Sequence, residues 1–337
     1  MKKILSFFVS LLIGIGLLAW IIRLVGWQEI LSSFLIFTGW QGMVILFLSF
    51  LLLWVSCFKW HLILKSQGYE IKNRELFLPY LTSFAMNYLF QMIIVGGDIF
   101  RAYVLREKYD VPWKKAVSSV IIDKILDSTG FILAILTGLG FFLFKIGLPP
   151  ANLAIVLGGF LLLMVSGISF FYLKSFRKES IARPIAKFFR KRGLPDGDIL
   201  EIERETFSYF KPNKTIFWQG IGLSLLRVSL TWLRTWLLIL FLGQAIGVWP
   251  TLSILGSVYI AMMIPIPADI GVHEVVQVFT FNSLGLGATI APAFAIIQRG
   301  AQLILSLAGI VIFFKLGMGL FKSFLFKKLD TLINGKI

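Results

Sequence analysis

Cysteine and histidine are almost absent from this chain of 337 residues, which has one cysteine and two histidines. The single cysteine, Cys57, cannot form an intramolecular disulfide or build a cysteine-based metal site. Acidic residues are also scarce, because 17 Asp and Glu stand against 33 Lys and Arg and give a formal net charge of +16. These shortages exclude a disulfide framework, and we expect neither a metal nor another cofactor.

Hydrophobic residues, by contrast, make up 58% of the chain, and its mean hydropathy is +0.86. A soluble core of this length could not bury that much apolar surface, so lipid must be the solvent. In a membrane protein, excess Lys and Arg collect in cytoplasmic loops that face anionic lipid. The sequence therefore predicts a multi-pass protein of the inner or plasma membrane with basic loops on an anionic membrane surface, and no nucleic acid partner.

Long apolar runs locate the membrane spans, because a run of about 20 residues can cross the hydrocarbon core as a helix with every backbone polar group satisfied. The first run follows two lysines like a signal peptide, but it has no small-residue cleavage site, and we expect it to remain as an anchor. The predicted fold class is an all-α polytopic transmembrane helix bundle that forms a single domain over residues 1–337. Its six long spans are Ile4 to Leu24, Trp40 to Leu64, Val117 to Phe144, Ala151 to Leu173, Thr215 to Leu242 and Ala288 to Phe314.

The distribution of Lys and Arg predicts the orientation of these spans. From Thr235 through Gln298 there is no Lys or Arg, so this stretch is assigned to the outer side or the membrane interior. The basic stretches are assigned to the cytoplasm, together with both termini, a linker over residues 174–214 and a tail over residues 316–337. These stretches are the N-terminus, Lys65 to Arg74, Arg101 to Lys115, Lys174 to Lys214 and the residues after Lys315.

Two shorter apolar segments differ in kind from the long spans. The spans alternate correctly only if Leu76 to Val95 enters from the cytoplasm and returns to it, while Thr251 to Ile266 enters from outside and returns there. Both segments are therefore predicted to be re-entrant, with a tilted full span as the alternative for either one. Paired broken segments of opposite entry are typical of transporters built from inverted repeats, with the substrate site between them.

Gly96, Gly97 and Asp98 follow the first short segment, with Arg101 three residues later. The glycines permit a turn, and Asp98 can cap a new helix. The free N–H groups and positive dipole end of a helix beside a guanidinium suit a phosphate, so a phospholipid headgroup is the natural ligand. The alternative is a cytoplasmic turn whose arginine follows the positive-inside rule.

The second short segment ends in a similar break, over residues 265–274. Two prolines stop one helix, and Asp269 or Gly271 begins the next. The alternative is that these residues only end one helix and cap another, with no role in binding. The stretch His273 to Gln277 comes within one residue of the zinc-protease motif H-E-x-x-H. Gln277, however, stands where the second histidine ligand is required, which excludes a zinc protease. Its candidate site residues are Pro265, Pro267, Gly271, His273 and Glu274.

Charged residues inside membrane spans are costly, and they are usually functional or paired. One interpretation is a set of interhelical ion pairs that fix the bundle. The other is a polar path that a lipid headgroup follows while its acyl tails stay in lipid. The residues we single out are Asp123, Lys124, Asp127, Arg227, Arg234 and Arg299.

Three motifs in order resemble one known family over most of the chain. They are Gly96-Gly97-Asp98 with Arg101, the stretch Ser118 to Asp127, and Pro265 to Glu274 followed by Arg299. Together they are similar to the lysylphosphatidylglycerol synthase transmembrane-domain family, also called flippase-like proteins. That resemblance implies a protein that binds a phospholipid and moves it between leaflets. The family also supplies the membrane half of enzymes that make aminoacylated phosphatidylglycerol.

Several features set this chain apart from those enzymes. Only a short basic tail follows the last span where their soluble aminoacyl-transferase domain would begin, so we expect a protein that is not an enzyme. Asp123-Lys124 stands where Glu-Arg is usual, Met92 where a proline often precedes the glycines, and His273 where an arginine commonly precedes the glutamate. The headgroup preference is therefore expected to differ.

The sequence thus favours a flippase-like transporter of a phospholipid or lipid-linked substrate. The sequence contains no recognisable nucleotide-binding loop or nucleophile elbow. The alternatives are a membrane-embedded enzyme or enzyme subunit that modifies a lipid-linked substrate, and a structural anchor; a homo-oligomer is left open. Predicted headgroup contacts are Asp98, Arg101, His273 and Glu274, with Arg227, Arg234 and Arg299 along the path.

Overall fold

The computed structural model describes residues 39–89, 96–147, 151–183, 197–212, 214–262, 272–287 and 290–334. Within these ranges every regular element is a helix, which confirms the predicted all-α class. The helices are α1 (Trp40–Ser66), α2 (Asn73–Leu89), α3 (Gly96–Tyr109), α4 (Trp113–Ile146), α5 (Ala151–Arg177), α6 (Gly197–Tyr209), α7 (Thr215–Phe241), α8 (Val248–Met262), α9 (Val272–Ser283) and α10 (Ile290–Asn334).

Five of the described helices contain a stretch long and apolar enough to cross a membrane: Trp40–Ser66, Trp113–Ile146, Gly158–Arg177, Thr215–Phe241 and Ile290–Lys315. They coincide with five of the six predicted spans, because a long apolar run leaves a chain in lipid few alternatives to a helix. The predicted span Ile4 to Leu24 lies outside the described residues.

The short helices α2 and α8 belong to the two segments predicted as re-entrant. With 17 and 15 residues, they extend about 26 and 23 Å at 1.5 Å per residue. Both lengths are below the roughly 30 Å of the hydrocarbon core. α2 packs against α3 and α8 packs against α9, so the described part of each segment is followed by a second helix in contact with it.

The contacts between helices divide the bundle into two corresponding halves, α1 to α4 and α7 to α10. α1 and α7 pack against each other across the centre. α2 packs against α10 just as α8 packs against α4, and α3 packs against α4 just as α9 packs against α10. Each short helix of one half therefore contacts the last helix of the other half.

Two glycines define the register between these halves. A Cβ on Gly138 of α4 would lie 2.2 Å from the Leu252 carbonyl oxygen, and one on Gly309 of α10 would lie 2.6 Å from the Leu81 carbonyl oxygen. The hydroxyl of the residue after each leucine donates to the carbonyl of the same glycine, at 2.9 and 3.5 Å. Both the glycines and the leucines are 171 positions apart (309 minus 138 and 252 minus 81). The same close approach thus occurs twice in one register.

The central helices α1 and α7 repeat a second contact. Lys59 Nζ lies 3.4 Å from Ser224 Oγ, and Arg234 Nη1 lies 3.0 Å from Ser49 Oγ. Both pairs of equivalent residues are 175 positions apart (234 minus 59 and 224 minus 49). Because the later residue of α1 meets the earlier residue of α7, the two helices are antiparallel. A two-fold axis that exchanges antiparallel helices lies perpendicular to them, which indicates inverted repeats.

Two helices lie outside this repeat. α5 contacts α4 and exposes large apolar side chains such as Ile155, Leu162 and Leu163, as expected of a helix that faces lipid. α6, within the predicted basic linker, packs against α4. There Lys114 Nζ lies 3.0 Å from Asp198 Oδ1. The linker thus contains a helix that docks onto the bundle through an acidic first turn.

Candidate functional site

A network of charged side chains lies inside the bundle where four helices meet. α1 contributes one cation, α3 an aspartate and an arginine, α4 two aspartates and a lysine, and α7 an arginine. We call this network the charged cluster; it consists of Lys59, Asp98, Arg101, Asp123, Lys124, Asp127 and Arg227.

The centre of the cluster is Lys59, which pairs with both carboxylates of α4. Asp123 and Asp127 are four residues apart, so they lie one helical turn apart on the same face. Lys59 Nζ lies 3.0 Å from Asp123 Oδ1 and also donates to Asp127 Oδ1. A buried ammonium is stable only when such partners replace its lost hydration. Lys59 therefore ties α1 to α4.

Arg101 of α3 forms the second buried connection. Its Nη1 lies 2.8 Å from Asp123 Oδ2, and its Nη2 lies 3.2 Å from Asp98 Oδ1. The guanidinium carbon is also 5.0 Å from the ring centroids of both Trp60 and Tyr80, within the range of cation–π attraction. Arg101 is thus enclosed by two carboxylates and two aromatic rings, and only 2% of its surface is exposed.

Close packing of α3 on α2 positions these charges. A Cβ on Gly97 would lie 2.2 Å from the Ser83 carbonyl oxygen and 2.7 Å from Asn87 Oδ1. The Gly97 N–H donates to Asn87 Oδ1 at 3.1 Å, which satisfies one of the free donors of the first turn of α3. Glycine at this position therefore lets α3 bring Asp98 and Arg101 into the bundle.

Two further cations complete the cluster at its edges. Lys124 is half exposed and lies 3.0 Å from Asp98 Oδ2. Arg227 of α7 lies 2.5 Å from Asp127 Oδ2, and its guanidinium carbon is 5.2 Å from the centroid of the Phe131 ring. Arg227 thereby connects the charged cluster to α7 and to the space beside it.

That space is a cavity of about 80 Å³ between α1, α2, α4, α7, α8 and α10. One water molecule needs roughly 10 to 15 Å³ by the same kind of measure, so the cavity has room for several water molecules or a small polar group. The polar side chains that line it are Ser49, Ser56, Arg227, Thr231, Arg234, Tyr259 and Gln302.

Arg234 differs from the cations of the cluster. It is 7% exposed, and its Nη1 donates to Ser49 Oγ at 3.0 Å. Within the described part of the chain, it has no ion pair with a carboxylate. Arg234 therefore places a permanent positive charge beside the cavity, and its hydrogen-bond partner among the described residues is a serine.

The structure brings together most of the residues that the sequence predicted. Six of them lie in the charged cluster, and Arg234 lines the cavity beside Arg227. The observed partners of Arg101 and Asp98 are ion-pair partners, so their contact with a headgroup stays a prediction. Arg299 is buried in α10, and its backbone carbonyl accepts a hydrogen bond from the Tyr88 hydroxyl at 3.5 Å.

The structure describes less of the candidate residues over positions 265–274. His273 and Glu274 lie in the first turn of α9, but their side chains belong to the part that the structure does not describe. Pro265, Pro267 and Gly271 lie outside the described residues. Their predicted contribution to the site stays a prediction.

Lys59 is the functional candidate that the sequence interpretation missed. Its signal was present, because a lysine within the apolar run of α1 is as costly as the aspartates that were singled out. Lys59 lies inside the predicted span Trp40 to Leu64, six residues before the basic stretch that begins at Lys65. Ser49, Tyr259 and Gln302 carry no comparable signal, since only packing brings them to the cavity.

The fold and the site define a polytopic α-helical membrane protein with repeated halves and a charged interior. The chain belongs to the family described as the lysylphosphatidylglycerol synthase TM region, whose sequence profile matches residues 7–309. It is 24% identical over 261 residues to UPF0104 membrane protein MJ1595 of Methanocaldococcus jannaschii, covering 73% of this chain and 76% of that protein. It is also 24% identical over 307 residues to a UPF0104 membrane protein of Methanothermobacter thermautotrophicus, covering 86% and 89%. No solved structure matches.

Proposed function

We propose that this protein is a flippase-like lipid transporter. It binds the headgroup of a phospholipid or lipid-linked substrate inside the bundle and facilitates its movement between leaflets. The observation that carries this proposal is the arginine-lined cavity beside the charged cluster, inside a bundle whose outer surface is apolar. A protein that is only an anchor would gain nothing from a cavity lined by two arginines, one of which has no ion pair among the described residues.

The physical problem of lipid translocation matches these features. A phosphate-bearing headgroup is very costly in hydrocarbon, because it loses its hydration without gaining partners. The guanidinium groups of Arg227 and Arg234 and the hydroxyl of Tyr259 would supply such partners. The acyl chains can remain in the bilayer while the headgroup passes through the polar interior.

The repeated halves support the same proposal. Transporters with inverted repeats place the substrate between the halves and expose it to either side by moving one part against the other. Here the cavity lies beside the antiparallel contact of α1 and α7, the helices that the repeat exchanges. We further propose that the protein lies in the cell membrane with both termini in the cytoplasm, as the distribution of Lys and Arg predicts.

A liposome assay tests the proposal. Purified protein is reconstituted with a fluorescent phospholipid, and a membrane-impermeant reductant reports how fast the inner-leaflet probe reaches the outer leaflet. We expect exchange above protein-free liposomes without ATP, or with an ion gradient if transport is coupled. The substrates to compare are anionic, aminoacylated and lipid-linked sugar lipids.

Two variants make the liposome assay specific. Arg227→Gln should slow exchange because it removes a cavity cation, whereas Lys65→Gln removes a cation at the exposed end of α1 and should leave exchange unchanged. Absence of exchange for all three lipid classes, with gradients of either sign, would contradict the transporter and favour an enzyme-subunit role.

A further inference from the structure

We infer that Arg234, assisted by Arg227, binds a phosphate oxyanion in the cavity, at the place that protein carboxylates occupy in the other repeat. The inference deepens the proposed function and rests on it for the expectation that the phosphate belongs to a lipid. The chemistry that the residues recognise is the phosphate group itself, whether lipid-borne or free.

The repeat makes Arg234 the counterpart of Lys59. Each cation lies at the same position of its central helix and contacts the equivalent serine across the interface, Ser224 for Lys59 and Ser49 for Arg234. Both cations are more than nine-tenths buried. The two halves therefore share a buried cation in matched surroundings.

The carboxylates that neutralise Lys59 are not repeated. The register of α4 and α10, in which Gly138 corresponds to Gly309, places Phe294 at the position of Asp123 and Gln298 at the position of Asp127. Phe294 and Gln298 are both buried. The second half has kept the cation and has a ring and a neutral amide where the first half has two negative charges.

A buried arginine that has no carboxylate partner among the described residues is in an unfavourable environment there. Arginine cannot release its proton in a protein, so burial cannot be relieved by neutralisation. The charged cluster contains four cations and three carboxylates, so its net charge is one positive charge. Arg234 adds a second positive charge to this region. An anionic ligand in the cavity would balance this excess.

The donors around the cavity fit a phosphate. The planar fork of a guanidinium matches two phosphate oxygens, and a second arginine and a nearby hydroxyl can satisfy the others. Arg227, Arg234 and Tyr259 line the cavity and can donate. The hydroxyls of Ser49 and Thr231 also line it, and each donates to the backbone carbonyl four residues earlier in its own helix. A cavity of about 80 Å³ suits a group of phosphate size rather than a complete headgroup with its substituents.

Binding measurements test this inference separately from transport. Purified protein in detergent is titrated with inorganic phosphate and, in a second arm, with a short-chain phosphatidylglycerol, and affinity is measured by calorimetry. Binding of both ligands, or of the lipid alone, supports the site, and the second result assigns the phosphate to a lipid. Binding of neither ligand would overturn it.

Variants locate the site. Arg234→Gln should weaken binding at least tenfold, and Arg234→Lys should recover part of the loss, because it keeps the charge but not the fork. Lys65→Gln is the matched control for the loss of one positive charge and should bind like wild type. Equal binding by Arg234→Gln and wild type would overturn the inference.

The repeat supplies a second test that does not remove the arginine. Gln298→Asp puts a carboxylate where Asp127 stands in the other half, so it should pair with Arg234, raise the midpoint of thermal unfolding and weaken phosphate binding at least tenfold. Unchanged phosphate binding in a folded Gln298→Asp protein would contradict the assignment. If phosphate binding depends on Arg234 but the protein shows no lipid exchange, the transporter proposal alone is refuted. If the protein exchanges lipid but its phosphate binding does not depend on Arg234, the phosphate site alone is refuted.

Discussion

Lys59 and Asp123 form an ion pair with 3.0 Å between Nζ and Oδ1, and both side chains are 1% exposed. Replacing Lys59 with methionine keeps the apolar stem but leaves Asp123 and Asp127 as neighbouring carboxylates without their shared cation. Removing one partner of a buried pair costs about 3 to 5 kcal/mol. We expect Lys59→Met to lower the thermal unfolding midpoint in detergent by a margin that is easily measured.

Lys65→Met is the control for that experiment. Lys65 is on the same helix, but it is exposed and lies 3.8 Å from Glu70, a surface pair of little energetic value. It should unfold at nearly the wild-type temperature. Equal unfolding temperatures for Lys59→Met and wild type would mean that the buried pair does not stabilise the fold. Lys59→Met with Asp123→Asn should recover part of the loss, because it removes one uncompensated charge.

Arg101 is predicted to affect stability as well as lipid binding. Arg101→Ala leaves Asp98 and Asp123 without their guanidinium and opens space between Trp60 and Tyr80. A loss of about 3 to 5 kcal/mol is expected from the broken buried pairs. Circular dichroism against temperature measures it, and binding of anionic lipid is then compared on the folded protein at low temperature.

Lipid binding separates the two interpretations of Arg101. If the guanidinium also contacts a phosphate, the folded Arg101→Ala protein should bind anionic lipid more weakly, by roughly the 1.5 to 3 kcal/mol of a charged hydrogen bond. Unchanged lipid binding in a destabilised protein would assign Arg101 to the ion-pair network alone. Arg106→Ala, an exposed arginine one turn further along α3, is the matched control.

Gly97 is predicted to tolerate no side chain. An added Cβ would lie 2.2 Å from the Ser83 carbonyl oxygen, which belongs to the α2 backbone and cannot rotate away. Such overpacking costs about 1 to 3 kcal/mol, so Gly97→Ala should lower the unfolding midpoint and displace Asp98 and Arg101. Gly158→Ala is the control, because a Cβ there meets nothing within 4 Å. Since alanine favours a helix over glycine, that variant should unfold no earlier than wild type.

Much of the fold follows from the sequence, because hydropathy alone decides where a chain in lipid forms a long helix. That reasoning located all five described spans, and the shortness of α2 and α8 separated them from the rest. The cluster was predicted only in part. Asp123 and Asp127 were found from their cost within a span, but Lys59 became their partner only through the packing of α1 on α4.

The repeat relationship was harder to obtain from the sequence. Gly138 and Gly309 are equivalent because each lies against the backbone of a short helix from the other half. The residues next to them in the sequence give little sign of this equivalence. The counterpart relation of Lys59 and Arg234 was likewise hidden, since the two residues differ in type. The register that matches Arg234 to Lys59, with Phe294 and Gln298 in place of the two aspartates, therefore depends on contacts between distant helices.

The inverted repeat makes a prediction about sidedness. The loops after α1 and after α7 are equivalent in the repeat, and because α1 and α7 are antiparallel, these loops should lie on opposite sides of the membrane. Single cysteines replace Glu70 and Ala245, both exposed, in a Cys57→Ser background. A membrane-impermeant maleimide should label Ala245→Cys in intact cells and Glu70→Cys only in inverted vesicles, because basic residues surround Glu70 and the stretch around Ala245 contains none.

A third cysteine fixes the absolute orientation. Lys178→Cys follows α5 directly, within the predicted basic linker, and should be labelled on the same side as Glu70→Cys. Labelling of Glu70→Cys and Ala245→Cys from one side would contradict the inverted repeat, since a helix pair related by an axis in the membrane plane cannot end on the same face. Labelling of all three positions with sides exchanged would keep the repeat and reverse the orientation. The positive-inside rule makes that outcome the less favourable one, because it would place the basic linker over residues 174–214 outside the cell.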